Sequence, residues 1–72
     1  MKALVVSILV NGVHDGYLEY CDNTWMVCRD LIDARLFPDD ENYDAEYYAK
    51  LYVEYQGSEF TYEIKTVTLT LG

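Results

Sequence analysis

The stretch KALVVSILV, at residues 2–10, is rich in Val, Ile and Leu, which are residues that favour β-strands. Asn11-Gly12 follows it directly, and Asp15-Gly16 stands a little further on; both pairs can supply the positive φ angles that a chain reversal needs. Tyr17-Leu18-Glu19-Tyr20 then alternates in a way that suits a short returning strand. The first part of the chain is therefore predicted to form a β-hairpin.

The residues after this hairpin have the spacing of an amphipathic helix. Apolar side chains recur at intervals of three and four between Trp25 and Phe37, and Asp22-Asn23-Thr24 offers N-cap side chains before them. Pro38 would end such a helix, because proline disfavours helical geometry in the preceding residue and has no amide hydrogen. We therefore predict a helix from about Trp25 to Phe37.

The segment from Tyr47 to Tyr55 is compatible with two structures. Its Tyr and Val content and its period-two alternation favour a strand. A helix remains the alternative, since Glu46 and Lys50 are four residues apart and both Ala and Leu favour helices. The strand is the preferred interpretation and the helix stays open.

The last part of the chain has the pattern of a turn followed by a long strand. Gln56-Gly57-Ser58-Glu59 favours the turn, and Phe60 to Leu71 alternates. The apolar positions change parity between Ile64 and Val67, which predicts a bulge or bend near Lys65-Thr66. Together these elements predict an α+β fold of ββαββ order, in which a small antiparallel sheet carries one helix on one face.

Length and composition place the chain among small folded domains. Its 72 residues can form one hydrophobic core but not two, so a single domain over residues 1–72 is expected. Hydrophobic residues make up 51% of the chain, which sets it apart from disordered sequences. The apolar stretch near the N-terminus is too short for a signal peptide and Ser7 interrupts it, so we expect a cytoplasmic protein.

The chain carries a strong excess of acidic residues. Thirteen Asp and Glu stand against five Lys and Arg, which gives a formal net charge of -8. Such a charge weakens attraction to nucleic acid phosphates and anionic membranes, and it attracts basic proteins. We therefore expect the partner to be a basic nucleic-acid-binding protein or complex, with no direct binding to nucleic acid or to a membrane.

No group of residues has the pattern of a catalytic or metal site. His14 is the only histidine and lies in a predicted turn. Cys21 and Cys28 are seven residues apart, which fits neither a redox motif nor a zinc site. The acidic segment after Pro38 lacks the glycine and the closing Glu of a calcium-binding loop. We therefore expect no enzymatic activity, no cofactor and no metal.

The most distinctive segment runs from Asp39 to Glu46, where five of eight side chains are carboxylates and none is basic. If this segment were extended and joined by acids on the outer side of the predicted helix, its carboxylates would span roughly 20 to 25 Å and imitate the charge of DNA. Tyrosines among the acids would add contact area at small entropy cost. The predicted partner-binding residues are Asp30, Asp33, Asp39, Asp40, Glu41, Tyr43, Asp44, Glu46, Tyr47 and Tyr48.

The sequence resembles phage anti-CRISPR proteins and related DNA mimics in its small size, its acid excess, its Tyr-rich acidic segment Asp39 to Tyr48 and its Thr-rich final strand Thr66 to Leu71. That resemblance implies a non-enzymatic inhibitor, in the cytoplasm of a host cell, that occupies a basic nucleic-acid-binding groove such as that of a CRISPR surveillance complex. The alternative is a small adaptor that binds proteins through a tyrosine-rich sheet surface. Either protein would be a monomer or a weak homodimer, since an exposed edge strand, Lys2 to Val10 or Phe60 to Leu71, can pair with a second copy.

Overall fold

The computed structural model describes residues 1–69 and shows a five-stranded antiparallel sheet with one α-helix on one face. The strands are β1 (Lys2–Val10), β2 (Val13–Cys21), β3 (Thr24–Cys28), β4 (Phe37–Pro38) and β5 (Phe60–Thr68), and the helix is α1 (Asn42–Gln56). A 3₁₀ turn at Leu31–Asp33 lies between β3 and β4. The predicted α+β class, with a helix packed on a small antiparallel sheet, is confirmed.

Strand β1 is the centre of the sheet and not one of its edges. On one side it pairs with β5 along its whole length, from Lys2 opposite Thr68 to Val10 opposite Phe60. On the other side its first half pairs with β4 and its second half with β2, and β3 then extends β2. The backbone of β1 therefore has partner strands on both sides, and its side chains from Ala3 to Ile8 are buried on both faces of the sheet.

Two tight turns join the first three strands. Asn11 and Gly12 have φ angles of 52° and 80°, and Asp22 and Asn23 have φ angles of 53° and 61°. Positive φ at both central residues defines the type I′ turn, whose twist matches that of the flanking strands. The predicted reversal at Asn11-Gly12 is confirmed, whereas Asp22-Asn23 forms a second hairpin turn and does not cap a helix.

The predicted helix over residues 25–37 is wrong. Thr24–Cys28 instead continues the sheet as β3, because the turn before it returns the chain alongside β2. Trp25 and Val27, aromatic and β-branched residues at alternate positions, pack against the core from this strand. Pro38 ends no helix and lies in the two-residue strand β4.

The helix lies later in the chain, at Asn42–Gln56, where a strand was the preferred prediction over residues 47–55 and the helix was the alternative. Ala45 and Ala49 lie one turn apart and are fully buried, so their small side chains let the backbone approach the sheet. Gly57 ends the helix with φ 135°, and its N–H donates to the carbonyl oxygen of Val53 at 3.1 Å. No helix in residues 1–69 is long and apolar enough to cross a membrane.

Gly16 lies inside β2 and not in a turn. A Cβ atom at this position would overlap the carbonyl oxygen of Cys28 and the side chain of Val27. Only glycine therefore lets β3 approach β2 this closely. The predicted reversal at Asp15-Gly16 is wrong, and β2 is longer than the predicted strand at residues 17–20.

The two faces of the sheet are covered by different parts of the chain. On one face, α1 covers a core cluster formed by Leu4, Val6, Ile8, Leu18, Phe37, Ala45 and Ala49. On the opposite face of β1, Val5 and Ser7 are also buried, although the Ser7 hydroxyl has no hydrogen-bond partner in the described structure.

Strand β5 contributes to both faces without any irregularity. Its register with β1 is continuous over all nine residues, so the predicted bulge near Lys65-Thr66 is wrong. Ile64 packs under α1, whereas Val67 lies beside Leu31 and Leu36. The change of parity seen in the sequence therefore reflects a change in which face is covered. The predicted end of the strand at Leu71 lies outside the described residues.

Candidate partner-binding surface

The carboxylates of residues 39–46 gather at the N-terminal end of α1. The chain turns just before the helix, where the Glu41 N–H donates to the carbonyl oxygen of Pro38 at 2.9 Å, and Asp44 lies in the first helical turn. A helix rises only about 1.5 Å per residue, so this segment is much shorter than an extended strand. The extended conformation predicted for this segment is therefore wrong from Asn42 onwards. The charges are concentrated at one point.

These acids, which lie just before the helix or in its first turns, also stabilise it. The first amide groups of a helix have no intrahelical partner, and the helix dipole favours negative charge there by about 0.3–1 kcal/mol per group. Glu41, at the N-cap position, makes no side-chain hydrogen bond to the helix. Asp39, Asp40, Glu41 and Asp44 are all exposed and Glu46 is half-buried. The carboxylates thus assist the helix and remain accessible to a partner.

Asp30 and Asp33 flank the 3₁₀ turn and do not lie on a helix face. The Asp33 N–H donates to the carbonyl oxygen of Asp30 at 3.1 Å, and both side chains are exposed. Five residues of chain separate Asp33 from Asp39, which allows at most roughly 20 Å between them. These two acids form a second group at the other end of the connection through β4.

The negative charge is not cancelled inside the fold. Within residues 1–69 the structure shows one ion pair, between Lys65 and Glu63, with a nitrogen–oxygen distance of 4.0 Å. None of the acids from Asp30 to Glu46 has a basic partner in that range. The acidic helix end, defined as Asp39, Asp40, Glu41 and Asp44, therefore projects its full charge into solvent.

The three predicted contact tyrosines all lie on α1. Tyr43, Tyr47 and Tyr48 are 79%, 50% and 36% exposed. Tyr43 and Tyr47 are four residues apart, and Leu51 and Tyr55 follow at the same interval. These side chains therefore form an exposed apolar stripe along the outer surface of the helix. The tyrosine-rich surface is thus mainly on the helix, and not on the sheet as predicted for the adaptor. Tyr55, which is not among the predicted contact residues, is 89% exposed.

A groove lined mainly by aromatic side chains runs between α1 and the β2–β3 hairpin. One part, with a volume of about 350 Å³, is lined by Tyr20, Trp25, Arg35, Phe37 and Tyr48. The other part, of about 430 Å³, is lined by Thr24, Trp25, Leu51, Tyr52, Tyr55 and Gln56. The groove is open because α1 lies over β5, β1 and β4 and leaves the hairpin end of the sheet largely uncovered. We refer to it as the aromatic groove.

Several rings of the aromatic groove pack against one another, in stacked or tilted pairs. The centre of the Trp25 ring lies 5.0 Å from the centre of the Tyr48 ring, with 29° between the ring planes. It lies 4.9 Å from the centre of the Tyr20 ring. The guanidinium carbon of Arg35 lies 5.7 Å from the centre of the Phe37 ring, so the groove already holds a cation against an aromatic face. Sequence reasoning missed this groove because it assigned Trp25 and Phe37 to one helix. The Asp22-Asn23 turn was the signal that could have shown it.

The two cysteines lie in surroundings that disfavour their thiolates. The pKa of Cys21 is raised above its ordinary value of 9.0, mainly by the negative charge of Asp22, while burial is the main cause that raises the pKa of Cys28. Both thiols are therefore protonated at neutral pH, a state in which sulfur is a weak nucleophile. Within residues 1–69 no three His, Cys, Asp or Glu side chains converge as metal ligands would.

The chain matches no protein-family model, and no curated protein or solved structure is significantly similar to it. Its function must therefore be inferred from the surface itself. Two features stand out on α1: the acidic helix end, and the aromatic groove that begins at Tyr48, four residues after Asp44.

Proposed function

We propose that this protein is a non-enzymatic inhibitor that binds a basic nucleic-acid-binding groove of another protein and blocks it. The supporting observation is the acidic helix end, whose four exposed carboxylates have no basic partner within residues 1–69. On a chain of net charge -8, this concentrated charge attracts surfaces rich in Lys and Arg and competes there with phosphates. The protein would act in the cytoplasm, and a CRISPR surveillance complex is the first target to test.

The aromatic groove supplies the second part of the proposed interaction. Side chains of Arg and Lys pack their stems and their charge against aromatic faces, as Arg35 does against Phe37. Tyr48 and Trp25 present such faces close to the acidic helix end. Charge would guide the partner to the surface, and the rings would hold individual basic side chains.

The test compares three chains for their ability to displace labelled duplex DNA from a purified CRISPR surveillance complex. Asp39→Asn, Asp40→Asn and Glu41→Gln together remove three charges from the acidic helix end. A matched control, with Asp15→Asn, Glu54→Gln and Glu59→Gln, removes three exposed charges elsewhere. We expect the first variant to lose at least ~10-fold in potency and the control to lose much less, with displacement by the wild-type chain weakening steeply as salt rises.

Two results would contradict this proposal. Equal potency of the two variants would exclude the acidic helix end as the contact. Failure of the wild-type chain to displace DNA from this complex, together with equal affinities of both variants for a nine-arginine peptide in calorimetry, would exclude the electrostatic mechanism for any basic partner. Binding that depends on Tyr47 and Tyr48 and hardly changes with salt would instead support the adaptor, which the exposed stripe on α1 favours.

A further inference from the structure

Strand β5 has one paired edge and one open edge. Within residues 1–69 its only partner strand is β1. The ladder between them continues through a hydrogen bond from the Leu69 N–H to the Met1 carbonyl at 2.7 Å and another from the Asn11 N–H to the Glu59 carbonyl at 2.8 Å. These bonds show that the odd-numbered residues of β5 direct their backbone groups towards β1. The even-numbered residues therefore direct theirs outwards, along the open edge.

The open edge carries a row of backbone groups without partners in the described structure. The Phe60 N–H is engaged by the carbonyl oxygen of Gly57 at 3.2 Å, which confirms that even-numbered residues face away from β1. Tyr62, Ile64 and Thr66 follow it along the edge with no backbone partner within residues 1–69. The strand has nine residues and contains neither Pro nor Gly. Such an edge is a template for another strand.

We propose that the open edge of β5 pairs with the same edge of a second copy, forming an antiparallel homodimer whose twofold axis passes beside Ile64. Ile64 is the midpoint of Phe60–Thr68, so this register aligns the two strands along their full length, and Tyr62, Ile64 and Thr66 of each copy supply the backbone hydrogen bonds. It also joins outward-facing groups to outward-facing groups, because Ile64 pairs with Ile64 and Tyr62 pairs with Thr66. The proposal does not depend on the proposed inhibitor function.

Charge selects the same register. An axis at Ile64 places Glu63 of each copy opposite Lys65 of the other, at positions of the non-hydrogen-bonded type, where side chains approach most closely. An axis one residue away would instead oppose two Glu63 carboxylates or two Lys65 ammonium groups. Both side chains are available, since they are 56% and 51% exposed and already lie 4.0 Å apart within one chain. In the dimer they form an alternating group of four charges.

The bulk charge of the chain acts against this dimer. Each copy carries a net charge of -8, so association brings like charges together at long range. Added salt screens this long-range repulsion more strongly than it weakens the attraction between the adjacent Glu63 and Lys65 side chains. The dimer is therefore expected to strengthen with added salt, whereas binding of the acidic helix end to a basic partner weakens.

The test uses sedimentation velocity of the full chain over a wide range of concentration. Glu63→Lys and Lys65→Glu each place like charges opposite one another at both cross-strand positions, and each should weaken dimerisation at least ~10-fold. Mixing the two variants restores opposite charges at both positions, so the mixture should form a heterodimer about as stable as the wild-type dimer. Lys50→Glu and Glu54→Lys, which alter equal charges on α1, serve as controls and should dimerise like the wild-type chain.

Three results would overturn the proposed dimer. A wild-type chain that remains monomeric at about millimolar concentration and high salt overturns the proposal, as does a dimer that neither single substitution weakens. Two weakened single variants that fail to associate when mixed show that β5 does not pair in this register, which also overturns it. Circular dichroism of each variant confirms that the fold is retained, so that loss of the dimer is not loss of the domain.

Discussion

The two halves of the sheet bury their side chains in different ways. In the half around β1 and β5, the small side chain of Ala49 lies in one cluster with Val6 and Ile8, and all three are fully inaccessible to solvent. In the half formed by the β2–β3 hairpin, Trp25 and Tyr48 stack but leave the aromatic groove open beside them. The comparison indicates that the first half holds the fold together and that the second is free to bind.

The largest effect on stability is expected from Ile8→Ala in the centre of β1. Ile8 is fully buried, so its truncation removes apolar contact and leaves a cavity, at a cost of about 2–5 kcal/mol in the free energy of unfolding. Urea denaturation followed by circular dichroism measures this. Ile8→Val, expected to cost about 0.5–1.5 kcal/mol, keeps the measurement possible if Ile8→Ala does not fold. A loss below about 0.5 kcal/mol in both variants would contradict the division between the two halves.

An intermediate effect is expected from Gly16→Ala, where the hairpin joins the packed half. The added methyl group overlaps the Cys28 carbonyl, so β3 must shift, at a cost of about 1–3 kcal/mol. Gly12→Ala is the comparison, since its Cβ meets nothing within 4 Å and only the positive φ of 80° opposes it. Thermal unfolding should rank Gly16→Ala as the less stable of the two. The reverse order would show that the β2–β3 contact is loose.

The smallest effect concerns Tyr52, which lies in the wall of the aromatic groove. Burial, with a smaller contribution from Asp15, raises its pKa above the ordinary value of 10.0. The unfolded chain therefore loses this proton first, so the contribution to stability is complete below about pH 10 and is lost as the pH rises through the folded pKa. The stability of Tyr52→Phe should fall less steeply above that pH than the stability of the wild-type chain. Identical curves for the two chains would contradict the partial burial of Tyr52.

Local pattern was sufficient where one turn decides the structure. The Asn11-Gly12 pair strongly favours a type I′ turn, and the apolar, β-branched stretch before it favours a strand. The final strand from Phe60 follows equally from Gly57 and the alternation after it. Among the predicted contact acids of this segment, Asp39, Asp40, Glu41 and Asp44 are exposed, whereas Glu46 is half-buried.

Local sequence pattern failed where the same residues are compatible with two different structures. Asp22-Asn23 can cap a helix or form a turn, and the choice depends on whether β3 can approach β2, which the absence of a side chain at Gly16 permits. The segment from residue 42 to 56 becomes helical because Ala45 and Ala49 fit against the sheet, which no local preference of Tyr or Val reveals. The aromatic groove escaped the sequence for the same reason, since its walls come from elements that meet only in the folded chain.

The pairing of β1 with β5 has a consequence for how the protein is made. The strand that is synthesised first among those described depends along its whole length on the one that is synthesised last. During translation β1 can pair early with β2, but the backbone groups of its other edge stay unpaired until β5 leaves the ribosome. That edge must therefore be protected from misassociation until β5 is available, and the sheet can be completed only then.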